Sequence, residues 1–396
     1  MKILVVCQHF YPESFRINDI CFELVKRGND VTVLTGLPNY PKGKVFKEYR
    51  LHKNRKQTIN GVKVVRCSLV GRGSTLAGMI INYMWFAVFG SLKALFMKKD
   101  FDAIYVYQLS PITMTWPARV VKKIAGIPLL IHVLDQWPVS ITTGGVSKNS
   151  LPYRILTRWS KNAYNSADII SCSSKSFKNY FINELGIDQS KGFYYLPSYA
   201  EDDYKITEKQ ENGRFDLVFA GNIGPAQSVE TIIEAANLLK ERQDIKFHIV
   251  GDGLSYAKCR GLAEKYELKN VEFYGYHPVS DMAEYYSLAD AFLITMVDNE
   301  VVNSTLPAKV QSYMVAARPI IGAISGEVAD VIRDADCGLC CKSLDYEGLA
   351  HMIHEAAQSP RLSEWAQNAY KYYEEHFEKE KCLDKLEELL KSLCNK

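Results

Sequence analysis

A surplus of one charge sign is missing from this chain: 48 lysines and arginines face 45 aspartates and glutamates over 396 residues, a formal +3. That balance gives no ground for a nucleic-acid partner. The GxGxxG spacing of a dinucleotide binder is also missing, since the glycine turns read Gly221-Asn222-Ile223-Gly224-Pro225 and Gly251-Asp252-Gly253. Cys337-Gly338-Leu339-Cys340 has redox spacing but no second cysteine pair, so a zinc ribbon is excluded and the stretch reads as sheet or turn packing. The ten cysteines are scattered, several in apolar runs (Cys7, Cys21, Cys172), which suits a reducing compartment. No apolar segment with a cleavage site follows the opening MKILVVCQHF, so no signal peptide is expected and the protein is placed in the cytoplasm. Acids are scarce between Lys42 and Arg72, where Glu48 stands alone among lysines and arginines. Such a patch suits anionic lipid or a phosphorylated substrate, or is a solvated surface. An apolar content of 47% with 23% charge excludes disorder, and the length suggests two domains.

What is present is organised around Phe215–Gly253, FDLVFAGNIGPAQSVETIIEAANLLKERQDIKFHIVGDG. Leu217–Ala220 is short and apolar enough for a strand buried on both faces, and Gly221–Pro225 breaks it. Ser228 is a candidate cap for the helix that follows, with Val229, Ile232, Ile233, Ala236 and Leu239 on one face. Phe247–Val250 then runs into the second glycine turn. Strand, turn, helix, strand, turn is a βαβ unit of a parallel sheet, whose ligands sit outside the carboxyl ends of the strands. Glycine lets a ligand approach the backbone, and the helix start offers unpaired N–H groups, which suits a phosphorylated ligand.

The amino-terminal half opens in the same way: Lys2–Cys7 as a strand, a helix with Ile17, Ile20, Cys21, Leu24 and Val25 inward, then Val31–Leu34 ending at Gly36. Two doubly wound domains direct their ligand-facing loops to a shared cleft. Glu13, Arg16 and Asn39 are placed at its mouth. Leu76–Leu92 carries no charge and approaches the length of a membrane span. A span would part the first βαβ unit from its partner strands, which leaves a buried helix or one lying in the membrane interface over about 75–97. Met84, Trp85, Phe86 and Phe89 beside Lys93, Lys98 and Lys99 favour the interface.

Ala103–Tyr107 and Leu129–Leu134 read as further strands, the second ending in Asp135-Gln136-Trp137-Pro138. Asp135 is the candidate for acceptor binding or base work, with a helix cap as its plainer role, while His132 reads as a packed histidine. Ala167–Cys172 is expected to be the last full strand of the first domain, and the linker is placed between Tyr195 and Gly213. The domains are thus expected at 1–200 and 213–375, with a terminal helix at 376–396. In Ser304–Gly322, Pro307 opens a helix with Val310, Tyr313 and Met314 inward. Lys309 lies in its first turn, where the helix dipole disfavours a cation unless an anion shares the site. Asp334-Ala335-Asp336 reads as a turn, and no metal is expected.

Taken together, YPESFRINDICFELVKRGNDVTVLTGLPNYPKGK, LDQWP, FAGNIGPAQSVETIIEA, VGDG and LPAKVQSYMVAARPIIG resemble family 4 glycosyltransferases, and the likeness runs over nearly the whole chain. In that combination they are similar to the O-antigen and capsule branch that includes N-acetyl-L-fucosamine transferases. The resemblance implies a GT-B fold of two Rossmann-like α/β domains and a retaining transfer without a protein nucleophile or a metal. It implies a UDP-sugar donor on the second domain, with Gly251 and Asp252 lining the nucleotide pocket and the Tyr276-His277 backbone meeting the base. Pro307, Ala308 and Lys309 would meet the pyrophosphate, beside Gly221 and Asn222. It further implies a polyprenyl-diphosphate-linked saccharide acceptor, at the inner membrane surface. Three positions depart from the family: Ser304 and Ser312 replace its two glutamates, Asn222 and Gln227 its phosphate-binding Arg and Lys, and Leu134 the His before Asp135. Lys309 is expected to supply part of the missing positive charge. A nucleotide-sugar 2-epimerase of the same architecture and a non-catalytic nucleotide-sugar-binding subunit are the other two readings.

Overall fold

The computed structural model describes residues 1–73, 75–204, 208–209 and 212–394. The chain divides into two compact units, Met1–Leu196 with Leu383–Lys396, and Pro197–Cys382. Of the stretch read as a linker, residues 205–207 and 210–211 lie outside the described residues.

The first unit is built on an eight-stranded sheet. Its strands are β1 (Lys2–Val6), β2 (Asp30–Thr35), β3 (Lys56–Ile59), β4 (Val62–Arg66), β5 (Ala103–Gln108), β6 (Leu129–Val133), β7 (Ile169–Cys172) and β8 (Gly192–Tyr195), in the order β3-β4-β2-β1-β5-β6-β7-β8. Only the β3–β4 pair is antiparallel. The central strands are buried along their whole length, as ILVV and AIYVYQ require of strands covered on both faces. Strand order reverses between β1 and β5, the place where such sheets bind ligands.

Three expectations change here. β8 continues the sheet beyond the strand taken as the last. β3 and β4 occupy the basic stretch, and part of that charge is turned inward: Arg66 is buried and donates to the Tyr11 and Gly36 carbonyls, while Lys63 pairs with Asp30. The terminal helix is not a separate element. Lys379–Cys394 is one helix, whose Asp384 meets Arg27 and whose Glu387 accepts from Asn29 at 2.6 Å, so its apolar stripe closes on the first unit.

The helix Leu76–Phe96 packs against the helix Trp116–Ala125, helped by Gly90, where a Cβ would come within 2.8 Å of Pro117. By length and composition it could cross a membrane, yet it joins two strands of one sheet. Of the aromatics expected at the interface, Phe86 is buried, and Trp85 and Phe89, stacked on each other, are half-buried. Leu76, Ile80, Ile81, Val88, Leu92, Leu95 and Phe96 stand exposed instead.

In the second unit six parallel strands, β9 (Phe215–Ala220), β10 (Ile245–Val250), β11 (Val271–Gly275), β12 (Ala291–Thr295), β13 (Ile320–Ala323) and β14 (Gly338–Cys341), run in the order β11-β10-β9-β12-β13-β14. The order reverses between β9 and β12. Leu217, Phe219, Ile232, Ile233, Phe247, Ile249 and Leu293 centre its core, each fully buried and each contributing about 1.5–3 kcal/mol of burial. β9 and β10 pair over six residues, but β9 and β12 over only two, Leu217↔Ala291 and Val218↔Phe292. The last residues of β9 therefore lack a strand neighbour on that side, and the site forms there.

Candidate functional site

Where β9 loses its neighbour, Tyr313 takes the place of a strand. Its hydroxyl accepts from the Ala220 amide at 2.9 Å and donates to the Ala220 carbonyl at 3.2 Å. Its ring stacks on Phe292 at 4.1 Å. This seats the short helix Lys309–Val315 against the end of β9 and brings Lys309 over the Phe219 ring, with Nζ 3.9 Å from the ring centroid. A Cβ at Gly221, where φ is +141°, would lie 3.0 Å from that Nζ. Nζ is sealed from solvent and has no hydrogen-bond partner among the described residues, although the rest of the residue is half-buried. Burial lowers its pKa from 10.5 to about 7. An unpaired cation at the carboxyl end of the central strand is arranged to meet an anion.

The glycine turns are held backbone to backbone. Gly251, at φ +138°, comes so close to the Gly221 carbonyl that a Cβ would lie 1.8 Å from that oxygen. The Ile223 amide donates to the Asp252 carbonyl at 2.9 Å, and the Gly253 amide donates to the Asp252 carboxylate at 2.7 Å. Asn222 Nδ2 donates to Gln227 Oε1 at 3.0 Å, so these two polar side chains satisfy one another where the family resemblance implies cations. Ser304 and Ser312 turn their hydroxyls onto the Val301 and Ala308 carbonyls. Pro307 and Ala308 precede the helix, which begins one residue after the exposed Ala308. Tyr276 is exposed after β11, and His277 Nε2 lies 2.8 Å from the Tyr285 hydroxyl and 3.3 Å from the Tyr274 carbonyl. Ser228 does not cap as expected: its φ is +43°, and its hydroxyl bonds Thr231 Oγ1 at 2.9 Å rather than a backbone amide.

The first unit gathers a second group of side chains at the carboxyl ends of its strands. Asp135, after β6, accepts from the Ser110 hydroxyl at 2.7 Å, and Ser110 accepts from Trp137 Nε1 at 3.0 Å. Burial raises the Asp135 carboxyl above its ordinary range, opposed by the Ser110 hydrogen bond. Glu13 is buried and accepts from the Asn39 and Tyr40 amides at 2.9 and 2.7 Å, tying the loop after β1 to the loop after β2. Its carboxylate also meets His9 Nδ1 at 3.1 Å. Asn39 is fully buried, donating to the Leu37 carbonyl and accepting from the Arg72 amide, so its side chain serves the loop. Arg16 begins the first helix. His132 packs inside, bonded to Ser171, with burial holding it neutral.

Sequence reasoning passed over His9, Ser110 and the tethering role of Tyr313. The His9–Glu13 spacing of four was the available signal for the first; nothing local marks the other two, since their partners are 25 and 93 residues away. Among the described residues no group of three or more His, Cys, Asp and Glu side chains is placed to hold a metal.

Three comparisons join this geometry to known proteins. Residues 14–192 match the glycosyl transferase 4-like domain, and residues 201–372 match glycosyl transferases group 1. An Escherichia coli K12 protein named as a colanic acid biosynthesis glycosyl transferase, WcaI, is 23% identical over 97% of this chain and 98% of its own. A Pseudomonas aeruginosa protein named as a glycosyltransferase, WbjE, is 24% identical over 62% of this chain and 63% of its own. Among solved structures, sucrose-phosphate synthase from Thermosynechococcus elongatus has a TM-score of 0.78 at 14% identity, covering 99% of this chain and 98% of its own. Anabaena HepE in complex with UDP has a TM-score of 0.73 at 16% identity, covering 99% of this chain and all of its own.

Fold and family together define the class: this is a glycosyltransferase of the GT-B fold. It is built from a glycosyl transferase 4-like domain followed by a group 1 domain, and is related to enzymes of surface-polysaccharide synthesis. The epimerase and scaffold readings find no support in these relatives.

Proposed function

We propose that the chain moves a sugar, with retention of configuration, from a UDP-sugar to a polyprenyl-diphosphate-linked saccharide during capsule or O-antigen assembly. N-acetyl-L-fucosamine is the first donor sugar to try, because the motifs quoted above resemble that branch. The observation that carries the donor half is Lys309, an ammonium sealed without a partner beside the Gly221 turn. Solved structures of the same fold hold UDP or UDP-glucose. A diphosphate at this turn meets the Lys309 charge, which stabilises the negative charge growing on the leaving phosphate. Asp135, held by Ser110, is the first-domain group assigned to the acceptor. The acceptor's lipid and a peripheral place on the cytoplasmic membrane face are supported by the exposed aliphatic face of Leu76–Phe96.

UDP titration and turnover of Lys309→Ala test the donor half. Loss of a charge-assisted contact of about 1.5–3 kcal/mol is expected to weaken UDP binding tenfold or more and to remove most turnover. Near-normal affinity and turnover would remove Lys309 from the site.

A further inference from the structure

The three helices Leu76–Phe96, Trp116–Ala125 and Leu151–Ser166 together contain seven lysines and arginines and not one aspartate or glutamate, in a chain with 45 acids. The first two pack at Gly90 and Pro117, and the third joins the second through Trp116 and Trp159, ring to ring at 5.3 Å. Between the first two lies a groove of about 670 Å³. Val88, Leu92, Leu95, Trp116 and Val120 line it with hydrocarbon and aromatic surface, and Arg119 and Lys123 stand among them. Arg119 Nε is sealed from solvent without a hydrogen-bond partner, and among the described residues no carboxylate pairs with this guanidinium. An apolar trough with an unpaired guanidinium matches an amphiphile whose head is anionic.

We infer that this groove holds one anionic phospholipid of the bilayer, its phosphate on Arg119 and Lys123 and an acyl chain between Leu92, Leu95 and Val120. The inference rests on the peripheral-membrane part of the function proposed above. A bilayer lipid fits better than the acceptor's own lipid because of where the groove lies. Leu95 leads toward the start of β5, Lys123 toward the start of β6, and Ser166, also on the groove wall, toward the start of β7. Asp135 follows the opposite end of β6. The Leu95, Lys123 and Ser166 end of the groove is thus separated from Asp135 by about a strand's length, roughly 17 Å.

Calorimetric titration of the whole protein with dihexanoyl phosphatidylglycerol, kept below its micelle threshold, tests this directly. One lipid per chain is expected to bind saturably. Dihexanoyl phosphatidylcholine and the Arg119→Gln variant, with its fold checked by circular dichroism, should each be weaker by about tenfold or more, the scale of a lost charge-assisted contact. Leu92→Glu should abolish saturation. No saturation in the wild-type protein, or equal binding of the two lipids, overturns the inference. Farnesyl diphosphate or inorganic phosphate binding more tightly than the phosphatidylglycerol also overturns it, in favour of a prenyl-diphosphate or a bare anion site. Sedimentation with phosphatidylglycerol vesicles separates the two levels. Vesicle binding without a one-to-one isotherm keeps the membrane reading and discards the groove, and absence of both discards both.

Discussion

Arg66 and Lys309 are both cations held inside the protein, and their partners set them apart. Arg66 donates to two backbone carbonyls and lies over the Tyr49 ring, so it braces loops. Lys309 has the Phe219 ring and no hydrogen-bond partner, and its pKa falls to about 7. The unfolded chain, with an ordinary lysine, binds more protons between pH 7 and 10.5, so stability without donor is expected to rise with pH over that window. Below about 7 the ammonium is charged before a diphosphate arrives; above it, binding must bring a proton. UDP affinity should therefore fall above that pH, by up to about tenfold per unit, until the pKa of the bound state is reached. Calorimetry in buffers of different ionisation enthalpy should detect up to about one proton taken up per UDP near pH 8.5, and none in Lys309→Met. A flat profile in the wild-type protein would contradict this account of Lys309. Gly251 gives a second test: an added Cβ would lie 1.8 Å from the Gly221 carbonyl, so Gly251→Ala should cost about 3 kcal/mol or more in thermal unfolding and abolish UDP binding. At this scale the sequence was informative where backbone or charge was unusual. Glycine turns and a lysine at a helix start are visible in a string of letters. That Asn222 and Gln227 satisfy each other, or that Ser110 holds Asp135, depends on side-chain directions that spacing does not encode.

Among the elements, the short helix Lys309–Val315 repairs an incomplete ladder. Because β9 and β12 pair over two residues only, the Tyr313 hydroxyl is needed at Ala220. Tyr313→Phe removes both hydrogen bonds, leaves the ring stacked on Phe292, and is expected to cost about 1–3 kcal/mol in denaturant unfolding. Turnover should fall with it, as Lys309 loses its seat; an unchanged stability would mean that the helix is held by its apolar contacts alone. Most strands that the sequence declared are buried on both faces, since an unbroken apolar run is their signature, although the four-residue Ile320–Ala323, equally buried, was not among them. β3, β4 and β8 escaped because KQTI and VKVVR are mixed and partly exposed at one sheet edge, and GFYY is half-buried at the other. The helix Leu76–Phe96 was recognised as unusual, but its exposed face is mostly aliphatic, with Phe96 at its end, and Phe86 is needed in the core.

For the molecule as a whole, each unit reverses its strand order at its centre, β1 against β5 and β9 against β12, and each gathers polar groups at the strand ends there. That repetition was visible in the two opening βαβ patterns. The terminal helix was legible as amphipathic, but its place on the first unit depends on Arg27 and Asn29, more than 350 residues earlier. Purified protein on phosphatidylglycerol vesicles, with radiolabelled UDP-sugars including UDP-N-acetyl-L-fucosamine, undecaprenyl-diphosphate-linked N-acetylated sugars and no added metal, tests the whole reaction at once. The expected result is label entering the lipid fraction from one donor, and its loss in Lys309→Ala. UDP binding without label transfer from any donor to any of these acceptors would contradict a lipid-linked transferase.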